Sequence, residues 1–508
     1  MSFYVTTPIY YVNAAPHLGH AYTTIAADVM ARHHRQRGED VFFLTGTDEH
    51  GEPVADAAHA LGIEPQELAD RNAERFRALA PQLEASNDFF IRTTDPQHEA
   101  MVKQVLSLVR ENGYVYEGTY EGWYCPRCAD FKAENEIDED RRCPIHHIEL
   151  TREQEDNYFF RLSAFQERLE ALYGERQDFV APRTRYNEAL SFIRSGLRDV
   201  PLTRHKLTWG VQVPWDPEHV FYVWFDALLN YYTALSYAPA PAGLSAGGGD
   251  LTERFWPASY HLIGKDILRF HAVYWPALLM AAELELPRHV FVHGFLLLDG
   301  EKMSKSLGNV LDPFAVIERF GADALRFYLL RDVPFGQDGS VSTASFELRY
   351  ESELANELGN LASRTIAMVH RYRDGIPLAI APDPELDGDF AGLAQEVAAM
   401  IDRAELTAAL DAIWQRVRRL NRYVEERAPW QLAKDDARAP ELDLVLSTLV
   451  AGLRVLGVLL HPYLPASTDK LLAALGSEDR SLASARWDSA QALGERIGQL
   501  DSLFPKSA

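Results

Sequence analysis

Two short stretches carry side chains suited to holding phosphates. Lys302-Met303-Ser304-Lys305-Ser306 places a hydroxyl between two ammonium groups, with Asp299-Gly300 before it and Gly308 after it. His17-Leu18-Gly19-His20 places two imidazoles one helical turn apart, with a glycine that lets a nucleotide approach closely. The plain alternatives are a solvated turn for Lys302 and Lys305, and a helix N-terminal cap for His17 and His20. That both stretches occur, in this order, favours phosphate chemistry. Two carboxylates join them. Asp48 ends an apolar run, where it suits either a substrate amino group or a turn cap. Asp266, after Gly264-Lys265, suits a ribose hydroxyl or an N-cap role.

A third cluster is of metal-ligand type. Cys125-Pro126-Arg127-Cys128 is followed, after fourteen residues, by Cys143-Pro144-Ile145-His146. Two residues between the ligands of each pair fit a tetrahedral Cys3His zinc site built from Cys125, Cys128, Cys143 and His146. Four protein ligands close the coordination sphere, so one structural Zn2+ per chain is expected. The chain has 3 cysteines, all in this segment. An odd, clustered set speaks for metal and a reducing compartment rather than disulfides.

The elements that must position these groups read as follows. Phe3 to Thr6 is strand-like, a helix follows from about His17 to Arg37, and Val41 to Thr45 is a second strand leading into Gly46-Thr47-Asp48. Strand, helix, strand argues for a parallel α/β sheet, with ligands at the strands' carboxyl ends. The rhythm breaks between about Gly113 and Pro214 and resumes at Phe221 to Trp224, Tyr260 to Ile263 and Val290 to Leu298. Beyond Phe346 the chain reads as helix, with Leu406, Leu410, Ile413, Val417, Leu420 and Val424 on one apolar stripe. The expected divisions are 1–112, 113–215, 216–290, 291–345 and 346–508.

Length, composition and charge bound the function. At 508 residues, with 47% hydrophobic and 24% charged content, the chain is ordinary for a soluble multidomain protein. A net charge of -24 argues against a protein that coats nucleic acid, and no DNA partner is expected; a local basic face remains open. The N-terminus shows no basic leader or signal-type core, and runs such as Ala272 to Ala282 are too short to span a bilayer. Cytoplasmic residence without membrane contact is expected.

The two phosphate motifs, on a split nucleotide fold, resemble the HIGH and KMSKS signatures of class I aminoacyl-tRNA synthetases. Leu18 replaces the usual isoleucine, and the second motif matches in full. The chain is similar more narrowly to the methionyl-tRNA synthetase family. The segments that carry this are Thr7 to Asn13, Gly46 to Gly51, Tyr222 to Ala227, Tyr260 to His271, Phe291 to Gly294, Asn360 to Arg364 and Ala428 to Trp430. The resemblance implies a Rossmann-like parallel-sheet catalytic domain, split by a zinc-bearing connective insertion and followed by an α-helical bundle that binds the anticodon. It implies a loop and stem-contact region over 291–345. It also implies ATP-dependent activation of L-methionine and transfer to tRNA(Met), including the initiator, with Mg2+ accompanying ATP.

The residue roles that follow from the resemblance are these. His17, His20, Lys302 and Lys305 act in catalysis, and with Gly19, Asp266 and Ser304 they hold ATP. Ile9, Tyr11, Asp48, Trp224, Ala227, Tyr231, Phe270 and His271 hold methionine. Asn360, Arg364 and Trp430 read the anticodon. Arg416, Arg418, Arg419 and Arg422 form a local basic face suited either to phosphate or simply to solvent. Some family members carry an appended domain that dimerises them; a chain stopping near Phe504 is expected to be a monomer. The competing readings are another class I synthetase, a small-molecule nucleotidyltransferase, and a non-catalytic tRNA-binding paralogue.

Overall fold

The computed structural model describes residues 2–125, 130–132, 137–138, 140–143, 147–205, 207–244, 249–298, 312–487 and 494–506. β1 (Ser2–Thr6), the short β2 (Tyr10–Tyr11), α1 (Leu18–Gln36), β3 (Asp40–Asp48) and β4 (Phe89–Arg92) open the fold. β3 is buried from Val41 to Asp48, the continuous pattern of a strand covered on both faces. It therefore runs on through Gly46 and Thr47, and Asp48 is its last residue.

The chain then builds a separate antiparallel sheet. β5 (Val115–Cys125), β6 (Asp130–Lys132) and β7 (Thr151–Phe160) come first. β8 (Val180–Ala181) returns to the parallel sheet, and β9 (Val200–Pro201) adds to the antiparallel one. Residues 113–215 thus contribute to both sheets. β10 (Tyr260–Gly264) and β11 (His289–His293) complete a 7-stranded sheet of order β4-β3-β1-β10-β11-β8, with β2 along the end of β3; every pairing is parallel.

The expected resumption of the parallel rhythm at Phe221 to Trp224 does not occur. Asp216–Phe221 is antiparallel in a small sheet, and Val223–Leu228 is a helix. A short, fully buried apolar run fits strand and helix alike, so periodicity cannot separate them. The run from Val290 to Leu298 is also two strands. It breaks at Gly294, where a Cβ would meet the Gln337 backbone at 2.3 Å, before β12 (Leu296–Leu298) pairs with β13 (Gly339–Val341).

The winding reverses between β1 and β10. From β1 the chain moves outward to β3 and β4, and from β10 to β11. Such a reversal opens a crevice at the strands' carboxyl ends, the usual ligand site of this architecture. α1 begins just beyond β1, and Lys265-Asp266 follows β10.

The helical part includes α2 (Asn360–Arg373), α3 (Leu406–Arg427) and α4 (Ala439–Leu460). The α3 stripe from Leu406 to Val424 is buried throughout. Contrary to the estimate from apolar runs, the helix at 436–460 is long and apolar enough to cross a membrane, but 83% of its most apolar 18-residue stretch is buried inside the protein. It is the central helix of the bundle. α1 is tied to this bundle through fully buried Arg326. That guanidinium donates to the carbonyls of Leu83 (3.0 Å), Pro462 (2.7 Å) and Tyr463 (3.0 Å), and lies 2.7 Å from Asp28 Oδ2 on α1. The helix that presents His17 and His20 is thereby held from behind.

Candidate active site

At the phosphate end of the crevice, His17 is the N-cap of α1. Its Nδ1 accepts the Gly19 backbone N–H at 3.1 Å, and His20 Nδ1 accepts the His17 backbone N–H at 3.0 Å. The two rings stack at 3.7 Å. Burial lowers the pKa of both, and for His20 the neighbouring His17 adds to the fall. A neutral imidazole that accepts at Nδ1 carries its proton at Nε2. Capping and phosphate binding are therefore compatible: the cap sets the tautomer and leaves two Nε2–H donors above the positive end of a helix. A Cβ at Gly19 would press on the His17 ring at 3.0 Å, so glycine lets that ring keep its capping position.

Across the crevice, Asp266 is exposed on the single turn after β10, its carboxylate folded over Gly264. Neighbouring Lys265 is engaged by Asp338 at 2.6 Å and by the Phe295 ring. Lys302, Ser304 and Lys305 lie outside the described residues.

At the other end, Asp48 is 2% exposed, and its Oδ1 has no hydrogen-bond partner. Burial, then Asp226 and Glu49, push its carboxyl well above the ordinary range. The aromatic wall follows from a π-helical turn, Phe270–Tyr274, which brings Phe270 flat against Trp224 at 3.7 Å. Tyr11 meets Trp224 edge-on at 6.3 Å, Ile9 packs against the core cluster that contains Trp224 and Phe270, and Ala227 is buried on the same short helix as Trp224. Tyr231 hydroxyl and His271 Nε2 are 2.7 Å apart. Because His271 Nδ1 donates to the Ile267 carbonyl at 3.0 Å and burial lowers its pKa to about 4, Nε2 accepts and Tyr231 donates. Trp224 Nε1 is buried without a partner. The expected residues at this end thus share one wall. His50, His98, Thr233 and His261 stand behind it, and sequence reasoning did not assign them a role.

In the antiparallel sheet, Cys125 ends β5, and both Cys125 and Cys143 are buried in one small cluster with Leu150. The Cys143 N–H donates to the Ile148 carbonyl at 2.9 Å, and the Cys143 carbonyl accepts the His147 N–H at 2.8 Å. Cys128 and His146 lie outside the described residues. Among the described residues no group of three or more His, Cys, Asp or Glu side chains is placed to hold a metal.

Comparison with known proteins agrees with this geometry. Residues 3–154 and 139–366 match the family of class I tRNA synthetases (M), and residues 384–506 match the anticodon binding domain of methionyl tRNA ligase. The chain belongs to the methionyl-tRNA synthetase family. It is 43% identical to the methionine–tRNA ligase of Caldanaerobacter subterraneus over 99% of this chain and 79% of that protein. It is 44% identical to that of Synechocystis over 94% of this chain and 90% of that protein. A Mycobacterium tuberculosis methionyl-tRNA synthetase bound by methionyl-adenylate superimposes with a TM-score of 0.93 at 42% identity, covering 99% of this chain and 100% of that one.

In this synthetase the helical domain presents the three residues expected to meet the anticodon. Asn360 is exposed at the start of α2. One turn on, Arg364 donates to Glu425 at 2.7 Å and to Asn421 Oδ1 at 3.0 Å, both on α3, while its Nε has no partner. α3 ends at Ala428 in a left-handed conformation (φ 43°), and Trp430 follows, 38% exposed. The basic face of α3 is a different matter. Arg416 pairs with Glu396, Arg418 with Glu353 and Glu357, and Arg419 with Glu385, Asp389 and Glu426. Those three arginines are ion-paired with neighbouring carboxylates, which leaves less of their charge free for phosphate.

Proposed function

We propose the following route for the methionine–tRNA ligation that membership of this family implies. L-Methionine enters with its ammonium at Asp48 and its thioether against the aromatic wall of Trp224, Phe270 and Tyr11, since sulfur packs favourably against aromatic edges. The Tyr231–His271 pair closes the far side, its hydrogen bond pre-set by the Ile267 carbonyl. ATP lies along the crevice, with Asp266 toward the ribose and its phosphates over α1. The methionine carboxylate attacks the α-phosphorus, the bond to the bridging oxygen breaks, and pyrophosphate leaves with the charge. No protein nucleophile is needed; positioning and charge stabilisation carry the step. His17 and His20 donate from Nε2 as charge develops, and Lys302 and Lys305, with Ser304, close on the outer phosphates. A ribose hydroxyl of the tRNA terminal adenosine then takes the methionyl group and releases AMP.

The observation that carries this reading is Asp48: a buried carboxylate oxygen without a partner beside an aromatic wall. An uncompensated buried charge is costly, and a substrate ammonium relieves it. Mg2+ arriving with ATP would screen the phosphates. Cys125, Cys128, Cys143 and His146 would hold one zinc ion that staples the antiparallel sheet, a reading supported by the shared burial of Cys125 and Cys143. Asn360, Arg364 and Trp430 read the anticodon, with Trp430 as a stacking platform. The test is pyrophosphate exchange into ATP with a panel of amino acids. Methionine alone should support exchange; exchange with leucine or valine instead, or with none, overturns the reading.

A further inference from the structure

Behind Asp48 lies a buried chain of groups that the route above does not use. Asp226 Oδ2 accepts from His50 Nδ1 at 2.7 Å, and Asp226 Oδ1 accepts from His98 Nε2 at 2.8 Å. His98 Nδ1 in turn meets Thr233 Oγ1 at 2.7 Å. His50 is fixed on its other side by Trp209, whose ring lies 5.3 Å away. Trp209 is itself strapped to the strand end: its Nε1 donates to the Glu49 carbonyl at 2.7 Å, and its carbonyl accepts the Gly51 N–H at 3.2 Å. Glu99, on the helix at 96–111, stands 3.9 Å from His50 Nε2.

The three carboxylates at this point differ in how they are balanced. Glu49 is held by Arg92 at 2.7 and 2.8 Å and by the hydroxyls of Thr47 and Thr94 at 2.6 and 2.5 Å. Asp226 has His50 and His98. Asp48 has an oxygen with no partner. We propose that His50, held by Asp226 and backed by His98, is a positioning residue of the amino-acid site, whose positive charge offsets Asp226 so that Asp48 stays ionised and receptive to the substrate ammonium.

The charges agree with this arrangement. Burial works against charge on His50, but Asp226, Glu99 and Glu49 together lift it above the ordinary histidine value. Burial also raises Asp226, but His50 and His98 outweigh it and hold the carboxyl down at about 2. Facing Asp48 are Asp226 and Glu49, which raise it, the Tyr231 hydroxyl, and the His50 backbone N–H, which lowers it. Without a charge on His50, the full field of Asp226 reaches Asp48. Its proton is then held to higher pH, and more of the free enzyme is unable to bind an ammonium.

The test is the pH profile of kcat/KM for methionine in pyrophosphate exchange, comparing the parent with His50→Gln, which keeps a donor but no charge. The acid limb should move to higher pH by about one unit, equivalent to about a tenfold rise in KM for methionine on that limb. KM for ATP should stay unchanged. An unmoved acid limb, or equal changes in both KM values, overturns the proposal, because a merely structural histidine would give that pattern. Should His50→Gln fail to fold, Glu99→Gln serves in its place. It is partly exposed and removes one charge that lifts His50, so the limb should move the same way by less; an unmoved limb overturns the proposal equally. The inference rests on Asp48 as the ammonium site. An Asp48→Asn enzyme that binds methionine normally would sink that reading, whereas an unmoved limb with Asp48 intact sinks only the role of His50.

Discussion

At the phosphate end of the crevice, four consecutive residues cap α1, and hydrogen bonds between near neighbours set both imidazoles. At the amino-acid end, Tyr11, Asp48, Trp224, Tyr231 and His271 arrive from separate segments, and contacts between distant parts of the chain bring them together. Tyr4 hydroxyl donates to the Tyr231 carbonyl at 2.7 Å across 227 residues, and Thr6 Oγ1 meets His261 Nδ1 at 2.8 Å across 255. The first kind of site depends mainly on one helix start. The second depends on the packing of the whole sheet, and it concentrates buried carboxylates, with one Asp48 oxygen left without a partner.

That contrast can be broken by experiment, most strongly at Asp48. Asp48→Asn keeps the shape and removes the charge. Losing one partner of a buried, hydrogen-bonded charge pair costs about 2–5 kcal/mol, so methionine affinity by calorimetry should fall by about 30-fold or more while ATP binding holds. Retained affinity would remove the central claim about this end. Lys305→Ala is the counterpart on the phosphate side. Adenylate formation should drop by about 10²–10³ with methionine binding nearly intact. Near-normal exchange would count against the lysine's role.

His20 sharpens the comparison, because its two nitrogens do different work. His20→Gln keeps an acceptor for the His17 backbone N–H, as glutamine does at the third position of a helix, so the cap and the thermal midpoint should persist while exchange falls with the lost Nε2–H donor. His20→Ala loses both, so stability should also drop, by about 1 kcal/mol. Full exchange in the glutamine variant would mean that capping is the main role of the motif.

The smallest effect is on stability in acid. Burial lowers His271 and His293 to about 4 and His261 well below the ordinary value. In the unfolded chain these histidines take up protons near 6.5. The unfolded state therefore binds more protons as pH falls from about 6.5 toward 4, and stability must fall with it. The thermal midpoint should be flat above pH 7 and decline below 6.5; a midpoint unchanged at pH 5 would argue that these rings are not buried as described.

Much of this was legible in the sequence, and the limits have physical causes. The strand at Ser2–Thr6, the helix from His17 and the α3 stripe follow from apolar period and cap chemistry, which are local. Phe221 to Trp224 misled because a buried apolar run has no period to read. The arginines of α3 looked like a basic face, since the carboxylates that neutralise Arg418 and Arg419 lie tens of residues away, at Glu353, Glu357 and Glu385. His98 left no local signal. It is one buried histidine on an amphipathic helix, and only the arrival of Asp226 and Thr233, 128 and 135 residues away, gives it partners.

By itself, then, the sequence determined the chemistry at hand. Its residue types and spacings specified histidines and lysines of a kind suited to phosphate, a cysteine cluster of metal-ligand spacing, and a parallel α/β fold followed by helices. Only the tertiary structure decided the partners of His50 and His98, which arginines are ion-paired, and which of three neighbouring buried carboxylates keeps an oxygen without a partner. Those outcomes depend on burial and on charges brought together across hundreds of residues, and no local pattern encodes them.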